Sequence, residues 1–195
     1  KRAEEPRGQI TADRRHLHQI PEIGMDLPGT ADYIRRRLDE MGIPWKNCGG
    51  DLPEKVTKDF VEAGFPRMER AVGITAVIGH GSPCILLRAD MDALPIREDN
   101  DLDFKSENGW GHMCGHDSHV AMLLGAAQIL KEREDSLKGT VKLVFQPGEE
   151  TGAGARVLVE NGLLENPKVD AAFGIHVQSV TKTGELGYAV GVNSA

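Results

Sequence analysis

Residues 112–119 read H-M-C-G-H-D-S-H, which places three histidines, a cysteine and an aspartate in eight positions. The whole chain has only 7 histidines and 3 cysteines, Cys48, Cys84 and Cys114. Cys114 and His116 are two apart, a spacing that converges on one point from an extended segment and splays apart on a helix. Thiolate and imidazole both suit a transition metal such as zinc. An apolar helix follows at once, and its positive end favours a thiolate over a thiol. The plainer alternative is a buried free cysteine beside polar loop residues. His112 and His119 flank the pair and could orient it, as could Asp117, which could equally cap the helix.

Three further clusters sit where strands are expected to end. Asp90-Met91-Asp92 closes the apolar run I-L-L-R-A-D, and residues two apart on an extended chain face the same way. Both carboxylates could therefore serve one site, or merely cap a strand end. Glu149-Glu150 follows the strand V-K-L-V-F and a Pro-Gly bend. Adjacent glutamates usually belong to a solvated loop; in a metal hydrolase one would bind metal while its neighbour takes a proton from water. His176, in F-G-I-H-V, is either a ligand or a satisfied core histidine near the end of a core strand. Each cluster alone has a bland explanation, but their recurrence at consecutive strand ends points to one shared site. His16, His18 and His80 read as structural or solvated.

The elements that must position these residues alternate. The periodicity predicts helix from Thr11 to about Met41, divided at Pro28-Gly29. Residues 47–73 are punctuated by Gly and Pro and carry one short amphipathic helix. Strands are expected over I-T-A-V-I-G-H-G and C-I-L-L-R-A-D-M-D-A, joined by a Gly-Ser-Pro turn. A helix from about Ser118 to Glu134 precedes the strand T-V-K-L-V-F-Q. A short helix near Ala153–Asn161 then leads to the strand A-A-F-G-I-H-V. The fold class is α/β: a layered domain with a mostly parallel central sheet flanked by helices, in which sites form beyond the carboxyl ends of strands. G-E-L-G-Y-A-V-G, from residue 184, reads as a last strand.

Composition narrows the partners. Lys and Arg number 23 against 30 Asp and Glu, a net charge of −7, which disfavours a nucleic-acid surface. No apolar run approaches the roughly 18–20 residues of a membrane span. Sparse, odd-numbered cysteines suit a reducing, cytoplasmic compartment. The start lacks both an initiator Met and the apolar segment of a signal peptide, so the chain is expected to begin inside its gene product.

R-R-H-L-H-Q-I-P-E-I-G, R-A-D-M-D-A-L-P-I, H-M-C-G-H-D-S-H-V-A-M-L-L-G-A-A, F-Q-P-G-E-E-T-G-A-G-A and G-I-H-V occur in that order. With these motifs the chain resembles the metal-dependent amidohydrolases that include hippurate hydrolase, indole-acetyl-amino-acid hydrolase, N-acetyldiaminopimelate deacetylase and aminobenzoyl-glutamate hydrolase. Carboxypeptidase G and the aminoacylases are distant relatives. The resemblance runs from about residue 11 to the end, interrupted by an insertion at 47–73. It implies a centre of one or two divalent metals (manganese or zinc, with cobalt or nickel as alternatives) on an α/β catalytic domain. Residues 1–195 would be the N-terminal part of that domain, with residues from about 184 leading into a lid that lies beyond this chain and mediates homodimerisation. Carried over by motif, Cys114, His116, Glu150 and His176 would be metal ligands, Glu149 the general base, and Asp92 an aspartate supporting the site. Two departures, Ser118 where the family usually has Gly and Gly148-Glu149-Glu150-Thr151 where it has Ala-Glu-Glu-Gly, bear on substrate preference rather than ligands.

The implied activity is hydrolysis of the amide bond of a small N-acyl or N-aroyl amino acid, by a metal-bound water that Glu149 activates. The rival expectation is a metal-binding but catalytically incompetent domain, because a lid histidine and a late ligand histidine would lie outside these residues. A third reading makes Cys114 a nucleophile paired with a nearby histidine.

Overall fold

The computed structural model describes residues 4–188 and 190–191. In chain order the elements are α1 (Arg7–Gln19), α2 (Pro28–Glu40), β1 (Trp45–Asp51), α3 (Glu54–Glu62), β2 (Arg70–Gly79), β3 (Cys84–Asp90), α4 (His116–Lys131), β4 (Thr140–Gln146), α5 (Gly154–Glu160) and β5 (Ala171–Gly174). The strands form one sheet in the order β1-β2-β4-β3-β5. β2 is antiparallel to both its neighbours, whereas β3 is parallel to β4 and to β5. β2 alone is therefore reversed, and β1, β3, β4 and β5 share one direction.

The crossover from β3 to β4 carries α4, and the one from β4 to β5 carries α5 back across β3. Right-handed crossovers in opposite senses place their helices on opposite faces of the sheet, and the side chains sort accordingly. Leu143 and Phe145 of β4 join Ala89 of β3 in a core with α1, α2 and α4, through Leu17, Ile34, Leu38, Val120 and Leu124. Their alternating neighbours Val144 and Leu86 pack with Leu158 of α5 on the other face. α2 begins at Pro28, whose fixed φ suits a first helical turn. The Glu22 carboxylate accepts the amides of Gly29 and Thr30 at 3.1 and 2.8 Å.

Two elements depart from expectation. The Gly-rich start of the 47–73 segment is paired in register with β2, from Trp45 opposite Ala76 to Asp51 opposite Arg70. Asn, Gly and Asp are poor strand formers, so this edge strand exists because β2 offers it a ladder. At the other edge, β5 stops at Gly174 and is exposed along its whole length, not a core strand reaching His176. Residues 184–188 form no strand either: among the described residues nothing pairs with them, and Leu186 and Tyr188 are 86% and 92% exposed. Residues 189 and 192–195 of that expected strand lie outside the described residues. No helix among the described residues is long and apolar enough to cross a membrane.

Candidate metal centre

Because β3, β4 and β5 are parallel, Asp90, Gln146 and Gly174 end their strands on one edge of the sheet, where the N-terminus of α4 also lies. Two glycines shape the approach. Gly115, at φ +91°, turns the chain from Cys114 into α4, and a Cβ there would sit 2.5 Å from Val177 Cγ2. Gly148, at φ +64°, opens the turn after β4, and its Cβ would meet Met25 Cγ at 2.7 Å. That turn presents Glu149 and Glu150 and is pinned from below by Asp92. Asp92 Oδ1 accepts the Glu149 amide and Oδ2 the Glu150 amide, both at 3.0 Å.

His116 is the hub. Its Nδ1 donates to the Asp92 carbonyl at 2.8 Å, leaving Nε2 with the free lone pair. Nε2 lies 3.7 Å from Glu150 Oε1, 3.9 Å from Glu149 Oε2 and 3.5 Å from Asp90 Oδ2. Opposite, His176 Nδ1 donates to the Val177 carbonyl at 2.6 Å, which turns its Nε2 to within 3.3 Å of Cys114 Sγ. Cys114, His116 and His176 form one set whose ligand atoms lie within 4.8 Å of one another, and His116, Glu149 and Glu150 form another.

The electrostatics are strongly negative. Burial pushes the Cys114 thiol up, and the charges of Glu150, Glu149 and Asp90 push it further, to about 12. Against the expectation of a thiolate at the helix N-terminus, burial and the three nearby carboxylates together favour the thiol in the metal-free protein. Burial also raises the Glu150 carboxyl. For His116 burial favours the neutral ring, but the Asp92 hydrogen bond and the charges of Asp90, Asp92 and Glu150 prevail and raise its pKa.

The structure brings Cys114, His116, Glu149, Glu150, His176 and Asp92 together. His18, read as structural or solvated, is buried, with its Nδ1 2.7 Å from Asp117 and its Nε2 2.9 Å from Glu98. It anchors α1 beneath the mouth of α4, with Arg14 Nε also 3.0 Å from Asp117. His16 stacks on Tyr33, and His80 is exposed. His112 is buried and finds no hydrogen-bond partner among the described residues. Asp90 and His119 carry more weight here than the motif reading assigned them. Asp90 is fully buried, accepts a hydrogen bond from His119 Nδ1 at 2.5 Å and meets Arg88 Nη1 at 2.7 Å. The signals were there: Asp90 shares a strand face with Asp92, and His119 follows His116 by one helical turn.

A divalent transition metal fits this donor set. Among the described residues His116 Nε2 and Glu150 Oε1 are buried without hydrogen-bond partners, which is costly unless something electropositive lies between them. Sulfur, imidazole and carboxylate donors converge there, and a cation would offset the carboxylate charge and favour the Cys114 thiolate.

Comparison with known proteins agrees. The model of Peptidase family M20/M25/M40 matches residues 86–191. The chain is 45% identical over 175 residues to IAA-amino acid hydrolase ILR1-like 5 of Arabidopsis thaliana, covering 89% of this chain and 35% of that protein. It is 39% identical over 185 residues to the N-acetyl-L-cysteine deacetylase of Bacillus subtilis, covering 94% of this chain and 39% of that protein. Among solved structures, a dinuclear metal binding peptidase of the M20 family from Bacillus subtilis superposes with a TM-score of 0.73 at 37% identity, covering 90% of this chain and 44% of that one. An aminobenzoyl-glutamate utilization protein from Klebsiella pneumoniae gives 0.65 at 28% identity, covering 90% and 45%. The chain thus spans less than half the length of these relatives. The resemblance drawn from the motifs and the α/β architecture are both borne out: this chain belongs to peptidase family M20/M25/M40.

Proposed function

We propose that this chain is the N-terminal part of the catalytic domain of a metal-dependent amidohydrolase that cleaves N-acyl or N-aroyl amino acids into acid and amine. The observation that carries the reading is the buried pair His116 Nε2 and Glu150 Oε1, 3.7 Å apart and without hydrogen-bond partners among the described residues, beside Cys114 and His176. These four residues would hold the metal, manganese or zinc. When bound, the metal supplies Lewis-acid activation of water and of the amide carbonyl.

The chain's own residues divide the rest. Glu149 and Glu150 differ in exposure, their side chains being 35% and 18% accessible. The more open Glu149 can reach an attacking water, take its proton and return it to the leaving amine. Asp92 fixes both glutamates by their amides, which holds the two carboxylates beside His116 Nε2. The relatives named for IAA-amino acid and N-acetyl-L-cysteine conjugates support a small N-acylated amino acid as substrate.

Glu149→Gln in the protein that carries this chain tests the assignment. Metal content is expected to persist while kcat on an N-acyl amino acid such as hippurate falls about 10²–10⁴-fold. Undiminished turnover would remove Glu149 as the base.

A further inference from the structure

We infer that His119 is a positioning residue for His176: its imidazole clamps the Val177 backbone and so aims His176 Nε2 at Cys114. The inference rests on the metal-centre reading above and extends it to a residue outside the proposed ligand set.

His176 lies where neither the sheet nor the core can hold it. The β3–β5 ladder ends at Arg88 opposite Gly174, two residues before His176. His176 is exposed, as are Phe173 and Ile175 at 61% and 60%. A side chain supplies the missing restraint. The Val177 amide donates to His119 Nε2 at 2.9 Å, in place of the next rung of the ladder. The Val177 carbonyl in turn accepts from His176 Nδ1. One peptide segment is therefore held by His119 on its N–H side and orients the His176 ring from its C=O side.

The tautomer of His119 follows from its partners. Nε2 must carry the lone pair to accept the Val177 amide, so Nδ1 carries the proton and donates to Asp90 Oδ1. Asp90 is itself fixed by Arg88. The His119 and His176 rings meet edge to face, with centroids 4.6 Å apart and planes at 70°. Since α4 carries both His116 and His119 one turn apart, the same helix that places one histidine directly places the other through Val177. Such supporting groups typically contribute 10–100-fold in metal affinity.

Three measurements on the full chain test this. In the wild type, ¹⁵N NMR should show His119 as the neutral Nδ1–H tautomer; a ring protonated at Nε2 cannot accept the Val177 amide and overturns the clamp. In His119→Phe, Val177 amide exchange without metal should speed at least about tenfold, and Co(II) affinity should fall about 10–100-fold. The Cys114–Co(II) absorption should still appear at saturation. His119→Gln, which keeps an acceptor near the Nε2 position, should restore most of both. The decisive arm is a double-mutant cycle: with His176→Ala already present, His119→Phe should cost no further affinity. An equal loss in both backgrounds means that His119 acts by general structural support, and refutes the inference. If the wild-type chain binds no Co(II), the metal reading is what fails, and the NMR and exchange arms still decide the clamp.

Discussion

The two sides of the candidate centre are built in different ways. On one side His116, Asp90 and Asp92 are at most 1% exposed, and they sit where β3, β4 and α4 meet over a packed core. On the other side His176 follows an exposed edge strand and meets the half-buried Cys114 through one residue, Val177, whose amide is held by one imidazole. Burial thus places the first side, and individual hydrogen bonds place the second. Damage to the first should therefore cost stability, and damage to the second should cost metal affinity alone.

The largest expected effect is at His18. Its removal leaves Asp117 and Glu98 buried without their shared partner, a type of change that costs about 3–5 kcal/mol. His18→Ala should lower the melting temperature by roughly 6–20 °C, whereas His176→Ala in metal-free protein should change stability by less than about 0.5 kcal/mol. Equal losses in thermal melts would break the comparison. Asp92→Ala comes next: it strips the acceptor from two amides and should cost about 2–4 kcal/mol by denaturant unfolding, with weakened metal binding.

pH sharpens the same contrast. The Asp117 hydrogen bond, opposed by burial and aided by Glu98, raises the His18 pKa, so its stabilisation is full below about 6.5 and fades as pH rises through the raised value. Asp117 and Glu98 are burdened by burial, yet their bonds to His18 hold them low. Their contribution is present above about pH 4 and fades as pH falls through the lowered values. The contribution of the His18, Asp117 and Glu98 cluster should therefore peak between about pH 4.5 and 6.5. His18→Gln should flatten the alkaline decline, and an unchanged profile would contradict the assignment.

The smallest effect concerns Cys114. With its thiol pushed up to about 12, metal-free protein should react with iodoacetamide far more slowly at pH 7 than an ordinary thiol, with a rate that climbs into strong alkali. Rapid alkylation at neutral pH would instead revive the nucleophile reading.

Much of this was legible beforehand because strong periodicity and chemistry coincide. The strand T-V-K-L-V-F-Q occupies Thr140–Gln146 as expected, and the apolar run after His116 is α4. β1 was hidden because a strand at a sheet edge can be poor in strand-forming residues when its neighbour supplies the ladder. The short reach of β5 was hidden for a related reason: apolar residues there continue past the point where pairing stops.

By itself, the sequence determined which donors exist and that they sit at a helix mouth or after strand ends: Cys114 and His116 at the start of α4, the glutamate pair after β4, and His176 after β5. Local spacing and period carry that information without reference to distant residues. Only the tertiary structure decided that His119 serves Val177, that Asp92 grips both glutamate amides, and that carboxylates crowd Cys114 at the mouth of α4. Those outcomes depend on contacts between residues 24 to 58 positions apart and on burial, which no local pattern encodes.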